Sequence, residues 1–218
     1  MNMIKKYIIK PKKVLKNISK NQIIICSITI LYFVILTTFV VTGKLKELDE
    51  YLLQTIHENL PGWFIYIARA SYFLGEAEVA IFFVLFTLGV LVWKKYWEEA
   101  QVMAFSCLFI LILIDKIFKP LFAISRPLDR LVENAFGNSY PSGHAAGNLL
   151  LYFLICYFIS QSYPKLKVFL YSLAVFSLIL MGISSAYLRV HWVSDIIASY
   201  AVGYIMFVFS ITILKSSK

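Results

Sequence analysis

Six long apolar stretches restrict most strongly what this chain of 218 residues can fold into. A helix needs about 20 mainly apolar residues to cross the hydrocarbon core of a bilayer. Hydrophobic residues make up 60% of the chain, well above the roughly 45–50% of an ordinary soluble domain. The sequence therefore predicts an all-α integral membrane protein with six transmembrane helices, at residues 23–41, 79–93, 102–114, 145–160, 168–188 and 196–214.

A strongly basic arm precedes the first apolar stretch. Seven lysines and no acidic residue lie among the first 20 positions, a pattern typical of an anchor on the inner membrane leaflet. A secretory signal peptide is the alternative, but the stretch is longer than the apolar part of a signal and no small-residue cleavage pattern follows it. We expect a basic cytoplasmic arm at residues 1–22, one membrane domain at 23–214 and a cytoplasmic tail at 215–218.

Basic residues in the short loops predict how the helices are oriented, because cytoplasmic loops carry the excess of lysine and arginine. With the N-terminus inside, the cytoplasmic loops hold Lys94, Lys95, Lys165 and Lys167. Six spans then return the C-terminus to the cytoplasm. We therefore predict a multi-pass plasma-membrane protein with both termini in the cytoplasm.

Two segments between the first two predicted spans have a different character. Residues 63–74 are apolar but short and carry Arg69, which predicts an interfacial or partly inserted helix. Residues 43–61 are rich in glutamate and lysine and predict an external loop or a short helix. Its His57 is expected at the surface without a partner.

The net charge of +9 raises the question of nucleic-acid binding. The basic residues form no surface interleaved with aromatic side chains, so no nucleic-acid partner is predicted. Cys26, Cys107 and Cys156 all fall inside apolar stretches, which indicates buried side chains and neither a disulfide nor a metal cluster. No cofactor is predicted, and the sequence leaves the oligomeric state open.

Two short segments hold two of the three histidines and lie beside predicted membrane helices. They are residues 140–144, Tyr-Pro-Ser-Gly-His, and residues 191–195, His-Trp-Val-Ser-Asp. Ionisable groups in such places usually mark a functional site. Ser142 can cap the helix that follows it, leaving free amides directed at an anion. His144 lies in the first turn of that helix, within reach of the same anion.

His191 and Asp195 are four residues apart, so they share one face if the last helix begins there. The carboxylate can then hold one ring nitrogen while the other stays free to attack phosphorus. A helix-capping pair at an outer helix end is the plain structural explanation. We interpret the pair as a nucleophile with its orienting acid.

Two cations, Lys119 and Arg126, precede the histidine segments. Phosphoryl transfer needs positive charge around the equatorial oxygens. Pro120 and Pro127 favour a helix end followed by a loop between the cations, and either this geometry or a continuous helix can direct both cations at one anion. An interfacial ion pair between Lys119 and Asp115 is the structural alternative. The order, spacing and shared membrane side of all these features favour one phosphate-binding and phosphate-cleaving site.

Together these segments resemble the signature of the type 2 phosphatidic acid phosphatase superfamily. Its motifs are Lys-x6-Arg-Pro, Pro-Ser-Gly-His and Ser-Arg-x5-His-x3-Asp. The likeness covers about residues 23–214 and extends to six-span bacterial lipid phosphatases, which implies a protein of the bacterial plasma membrane. The matching residues are Lys119, Arg126 and Pro127, then Pro141, Ser142, Gly143 and His144, and finally Ser184, His191 and Asp195.

The resemblance implies a metal-independent reaction in two steps. His191 would attack phosphorus to give a phosphohistidine, which Asp195 would orient and balance in charge. His144 would protonate the departing lipid oxygen, and water would then release phosphate. The phosphoryl oxygens would be held by Lys119, Arg126, Ser142 and the Gly143 amide.

One position departs from the superfamily pattern: Ser185 stands where the third motif has arginine. Losing one preorganised donor typically costs about a hundred- to a thousandfold in rate. A weakened enzyme, a changed substrate preference and a substitution introduced into an active parent all remain open. Arg189, one helical turn later, is a further candidate phosphate ligand, with a snorkelling interfacial arginine as the alternative.

A site at the outer membrane interface predicts an amphiphilic substrate with its phosphate at headgroup level. The candidates are undecaprenyl pyrophosphate, phosphatidylglycerol phosphate and phosphatidic acid. Undecaprenyl pyrophosphate ranks first, because an external site suits recycling of the carrier used in bacterial cell-wall assembly. A lipid phosphotransferase with the same residues is one alternative. A lipid-phosphate binder or transporter is another, although a binder has no need for a nucleophile with its orienting carboxylate.

Overall fold

Every regular element that the structure describes is helical. The computed structural model describes residues 19–133 and 135–217, so most of the predicted basic arm and the last residue of the predicted tail lie outside it. The α-helices of the described residues are α1 (Lys20–Val41), α2 (Lys46–Asn59), α3 (Phe64–Gly75), α4 (Ala77–Trp93), α5 (Trp97–Ile112), α6 (Lys119–Phe122), α7 (Gly143–Ser162), α8 (Lys167–Tyr187) and α9 (Val193–Ser217).

The membrane-spanning architecture predicted from the apolar stretches is confirmed. Five helical segments are long and apolar enough to cross a bilayer, and α3 with α4 make a sixth when the bent pair counts as one span. The bend between them is 48°. The helix predicted at residues 63–74 is thus α3, the first half of this bent pair. The five unbroken segments are Lys20–Val41, Trp97–Phe122, Gly143–Ser162, Pro164–Tyr187 and Val193–Ser216.

Helices α7 and α9 form the centre of the bundle. In the most apolar stretch of α9, 67% of the residues are buried, whereas in that of α1 the share is 11%. A glycine permits this close packing, since a Cβ on Gly203 would lie 2.6 Å from the carbonyl oxygen of Ala146 and 3.1 Å from Cβ of Leu149. The backbones of α7 and α9 therefore approach each other more closely than a larger residue would allow.

The third span changes its helical form just before Lys119. A π-helix, Leu113–Phe118, joins α5 to α6. Pro120 has no N–H and its ring would collide in a regular α-helix with the carbonyl four residues earlier, and the wider π turn relieves that conflict. Helix α6 ends at Ala123 in the left-handed region, with φ of 51°. Lys119 is therefore helical and Arg126 lies in the loop beyond, as the two prolines predict.

The segment predicted as a loop or short helix is the 14-residue helix α2. The expectation that His57 lies exposed at the surface is wrong, although its Nδ1 has no hydrogen-bond partner among the described residues. Its side chain is half-buried, and its ring packs on that of Tyr187 with the ring centroids 5.0 Å apart. Helix α2 thus packs against the end of α8 and the start of α9, at the end of the bundle where the histidine segments meet.

Candidate active site

The two histidine segments converge at one end of the bundle, where α7 and α9 begin and α8 ends. His191 is 1% exposed and Asp195 is fully buried. The Nδ1 atom of His191 lies 3.3 Å from Oδ2 of Asp195. The backbone amide of Trp192 donates to the same carboxylate oxygen at 3.0 Å. The first turn of α9 therefore holds an imidazole and a carboxylate in contact, away from solvent.

Ser139 completes this contact, and the sequence motifs did not indicate it. Its hydroxyl donates to Oδ2 of Asp195, and its oxygen lies 3.2 Å from Nδ1 of His191. A serine hydroxyl has one proton. Because that proton goes to the carboxylate, the serine oxygen is left to accept from an Nδ1–H. The arrangement favours the tautomer with the proton on Nδ1 and a lone pair on Nε2 of His191.

Arg126 reaches the other ring nitrogen of His191. One terminal nitrogen of its guanidinium lies 3.2 Å from Nε2 and donates to the carbonyl of Val190 at 2.9 Å. Its Nε donates to the carbonyl of Gly137 at 3.1 Å. An anion that binds this guanidinium therefore lies close to Nε2 of His191.

The environment of His191 keeps its imidazole neutral. Burial lowers the pKa of His191 well below its ordinary value of 6.5, and the positive charges of Arg126 and Lys119 lower it further. A neutral imidazole with an unprotonated Nε2 is the nucleophilic form. Burial and charge thus favour the form of His191 that chemistry at phosphorus requires.

Lys119 forms the ion pair that was the structural alternative for it. Its Nζ lies 2.6 Å from Oδ1 of Asp115. The same Nζ lies 3.9 Å from the place that a Cβ on Gly143 would occupy. Lys119 therefore contacts the N-terminal turn of α7 while it is paired to Asp115. Ser142 caps this helix, accepting from the amide of Ala145 at 3.3 Å.

His144 faces the same region from α7. Its ring stacks on that of Tyr72 from α3, with centroids 5.0 Å apart and planes inclined by 22°. Its Nε2 is buried and has no hydrogen-bond partner among the described residues. Asn148 donates to the carbonyls of both Gly75 and His144 at 2.9 Å and joins α3 to α7. A buried nitrogen without a partner calls for a functional explanation, and a substrate oxygen would supply the missing bond.

The side chains of Ser185 and Arg189 take no part in the contacts described above. Ser185 is buried near the end of α8, where its hydroxyl donates to the carbonyl of Met181 at 2.9 Å. Arg189 follows α8, and its guanidinium lies 3.7 Å from Oδ2 of Asp129. Within residues 19–133 and 135–217, no group of three or more His, Cys, Asp or Glu side chains is arranged to hold a metal ion.

Known proteins resemble this chain in sequence and in fold. A family model described as the PAP2 superfamily matches residues 99–217. Phosphatidylglycerophosphatase B of Bacillus subtilis (strain 168) is 25% identical over 186 residues, which cover 81% of this chain and 88% of that protein. The crystal structure of a transmembrane PAP2 type phosphatidylglycerolphosphate phosphatase from Bacillus subtilis has a TM-score of 0.80 at 24% identity. The match covers 88% of this chain and 97% of the chain in that crystal structure. At 24% identity it shows a shared fold.

Proposed function

Because the chain belongs to the PAP2 superfamily of membrane lipid phosphatases, we propose that it hydrolyses phosphatidylglycerol phosphate at the site around His191. One observation carries the proposal: the buried line of contacts from Arg126 through His191 to Asp195, with distances of 3.2 and 3.3 Å. A lipid-phosphate binder would need the cation. It would have no use for a neutral imidazole held by a carboxylate.

The first chemical step forms a bond between Nε2 of His191 and phosphorus. As that bond forms, the bond between phosphorus and the lipid oxygen breaks, and the oxygen takes a proton from His144. The bound phosphate dianion favours the protonated form of His144 before this transfer. The ring of His191 becomes positively charged in the phosphohistidine, and Asp195 stabilises that charge through Nδ1–H.

The second step returns His191 to its starting form. A water molecule attacks phosphorus and gives its proton to His144, while the bond between phosphorus and Nε2 breaks. The electron pair of that bond returns to Nε2, and inorganic phosphate leaves. Negative charge on the equatorial oxygens is greatest in the two transition states. In this mechanism it is stabilised by Lys119, Arg126, Ser142 and the Gly143 amide.

The choice of phosphatidylglycerol phosphate draws on the relatives. The curated relative and the solved structure are both named as phosphatases of this lipid. The ranking of undecaprenyl pyrophosphate first stays a prediction from sequence, as does an extracytoplasmic site with both termini in the cytoplasm. All three candidate lipids place their phosphate at headgroup level, and Trp63 and Trp192 lie on the predicted outer side, where aromatic belts occur.

Phosphate release from purified protein in detergent with EDTA tests this function. The substrates are phosphatidylglycerol phosphate, undecaprenyl pyrophosphate and phosphatidic acid, each given to the unchanged chain, to His191→Ala and to His57→Ala. We expect His191→Ala to lose at least about a thousandfold in kcat. His57→Ala removes a histidine from the same end of the bundle but not from the site, and should stay within about threefold.

The outcomes separate the alternatives. Phosphate release that survives His191→Ala would refute the phosphohistidine mechanism. Consumption of the lipid phosphate without release of inorganic phosphate would indicate transfer to another acceptor. Binding without turnover in the unchanged chain would indicate the lipid-phosphate binder. The three lipids compared at equal surface concentration decide which substrate is preferred.

A further inference from the structure

We propose that Arg189 and Lys46 form a second anion subsite, which binds the phosphodiester of the lipid headgroup while the terminal phosphate lies at His191. This rests on the proposed function and gives it a preference among lipid phosphates, for lipids with two separated phosphates. Phosphatidylglycerol phosphate has such a phosphodiester, one glycerol away from the phosphate to be cleaved. Phosphatidic acid does not.

A cavity of about 460 Å³ provides the space for this subsite. Its lining includes Arg126, Arg189, Lys46, Gln54 and Trp192. The volume is within the range of roughly 300–1,000 Å³ that is typical of small-ligand sites. The cavity is therefore large enough for a glycerol phosphate group.

Arg126 connects the cavity to the site of chemistry. Arg126 lines the cavity, and one terminal nitrogen of its guanidinium lies 3.2 Å from Nε2 of His191. A headgroup whose terminal phosphate contacts Arg126 and His191 can therefore extend directly into the cavity. Its next anionic group would then meet the other two cations of the lining, Arg189 and Lys46.

Two carboxylates, Glu50 and Asp129, also line the cavity, so three cations outnumber two acids. Arg189 is paired with Asp129, but loosely. The two charged groups are 3.7 Å apart, and the Asp129 side chain is 87% exposed. Exposed ion pairs of this kind contribute little, whereas charge-assisted bonds from a guanidinium to phosphate are among the stronger ones. Arg189 can therefore exchange Asp129 for a phosphodiester at small cost.

The backbone at Arg189 offers a replacement that the fold tolerates. Its amide bonds to the carbonyl of Ala186 at 2.9 Å and that of Val190 bonds to the carbonyl of Ser185 at 3.0 Å, which is the Schellman pattern of a helix end. Arg189 itself adopts φ of 55°, a conformation that favours glycine. Arg189→Gly thus removes the cation while it relieves backbone strain.

The subsite acts on a part of the substrate that does not react. Such contacts are made equally in the ground state and in the transition state, so their loss raises KM and leaves kcat nearly unchanged. Hydrogen bonds to charged groups are the stronger ones, so the loss of one should raise KM roughly tenfold. Loss of a residue that contacts the transferred phosphate would instead lower kcat.

Steady-state kinetics in mixed micelles of a neutral detergent test the subsite, with phosphatidylglycerol phosphate and phosphatidic acid as parallel substrates. For Arg189→Gly we expect KM for phosphatidylglycerol phosphate to rise about tenfold, kcat to stay within about twofold, and both constants for phosphatidic acid to stay unchanged. Lys46→Gln should act in the same direction. Lys44→Gln is the matched control, since Lys44 lies two residues away and is not part of the cavity lining.

Two results would overturn the subsite. An equal loss with both lipids would mean that Arg189 acts on the transferred phosphate or on folding, and no change with either would mean that it contacts no headgroup. Failure of the proposed function is recognised separately, because the unchanged chain would then release phosphate from neither lipid. In that case, equilibrium binding of vesicles containing phosphatidylglycerol phosphate or phosphatidic acid still tests whether Arg189→Gly weakens binding of the first lipid alone.

Discussion

Asp49 on α2 accepts two hydrogen bonds from Ser194 at the start of α9, one from the backbone amide at 2.9 Å and one from the hydroxyl at 2.6 Å. The two residues are 145 positions apart in the chain. Ser194 directly precedes Asp195, so this contact holds the helical turn that presents the buried carboxylate to His191. Burial raises the pKa of Asp49, and the two bonds from Ser194 oppose that shift.

Removing the Asp49 carboxylate should weaken both the fold and the site. Asp49→Ala leaves a buried amide and hydroxyl of Ser194 without their acceptor, which costs about 1–3 kcal/mol. We expect a lower melting temperature in detergent and a loss of about tenfold in kcat. Asp49→Asn keeps one acceptor oxygen and should recover part of kcat. Glu47→Ala, which removes an exposed acid from the same helical turn, should change neither quantity.

Ser139 is expected to position the imidazole of His191. Ser139→Ala removes the hydroxyl that bridges Nδ1 of His191 and Asp195. The remaining bonds to the carboxylate, from Trp192 and from the imidazole, should keep the protein folded. We expect kcat to fall about 10- to 100-fold, equivalent to about 1.4–2.7 kcal/mol, with KM nearly constant. A rise in KM with constant kcat would mean that Ser139 contacts the substrate instead.

The lowered pKa of His191 predicts how stability depends on pH. Below its ordinary pKa of 6.5 the unfolded chain binds a proton at this residue and the folded chain does not. The contribution of neutral His191 to the free energy of unfolding is therefore fully present above pH 6.5. It is lost as the pH falls below 6.5, by about 1.4 kcal/mol for each pH unit. His191→Gln removes this titration. Melting temperatures of both proteins between pH 8 and pH 5 should diverge below pH 6.5, and parallel curves would contradict the prediction.

The close approach of α7 and α9 predicts a strong effect at Gly203. A methyl group there would lie 2.6 Å from a backbone carbonyl oxygen, and a backbone atom cannot rotate away as a side chain can. Gly203→Ala should therefore destabilise the protein by about 1–3 kcal/mol. Gly147→Ala is the matched control on α7, because nothing lies within 4 Å of its Cβ position. Its melting temperature should be unchanged or higher.

Restoring the arginine of the third motif should raise activity. Ser185 is buried, and its hydroxyl donates to the carbonyl of Met181 in its own helix, so this neutral side chain supplies no charge to a phosphate. We expect Ser185→Arg to raise kcat at least tenfold, since one preorganised donor is worth about a hundred- to a thousandfold. Ser185→Gln has a long neutral side chain and controls for volume. Equal rates for both variants would show that charge at this position contributes nothing.

Much of the fold could be predicted from the sequence, because the formation of each helix depends mainly on residues close together in the chain. A helix crosses the bilayer when it has enough consecutive apolar residues, so the length of the apolar stretches predicted the membrane-spanning helices. The four-residue spacing of His191 and Asp195, and the position of Ser142 before an apolar helix, depend only on helix geometry and capping. The structure accordingly brings the first pair into contact and makes Ser142 a helix cap.

Tertiary structure alone decided which distant side chains meet. Ser139 approaches Asp195 across 56 positions, Tyr72 stacks on His144, and His57 packs on Tyr187 where an exposed histidine was expected. Local sequence patterns do not predict these contacts, because the contacts depend on how separate helices pack and on the path of the loop at residues 123–142. Hydropathy and spacing determined the helices and the motif residues, whereas the packing of helix ends determined the partners that hold those residues in place.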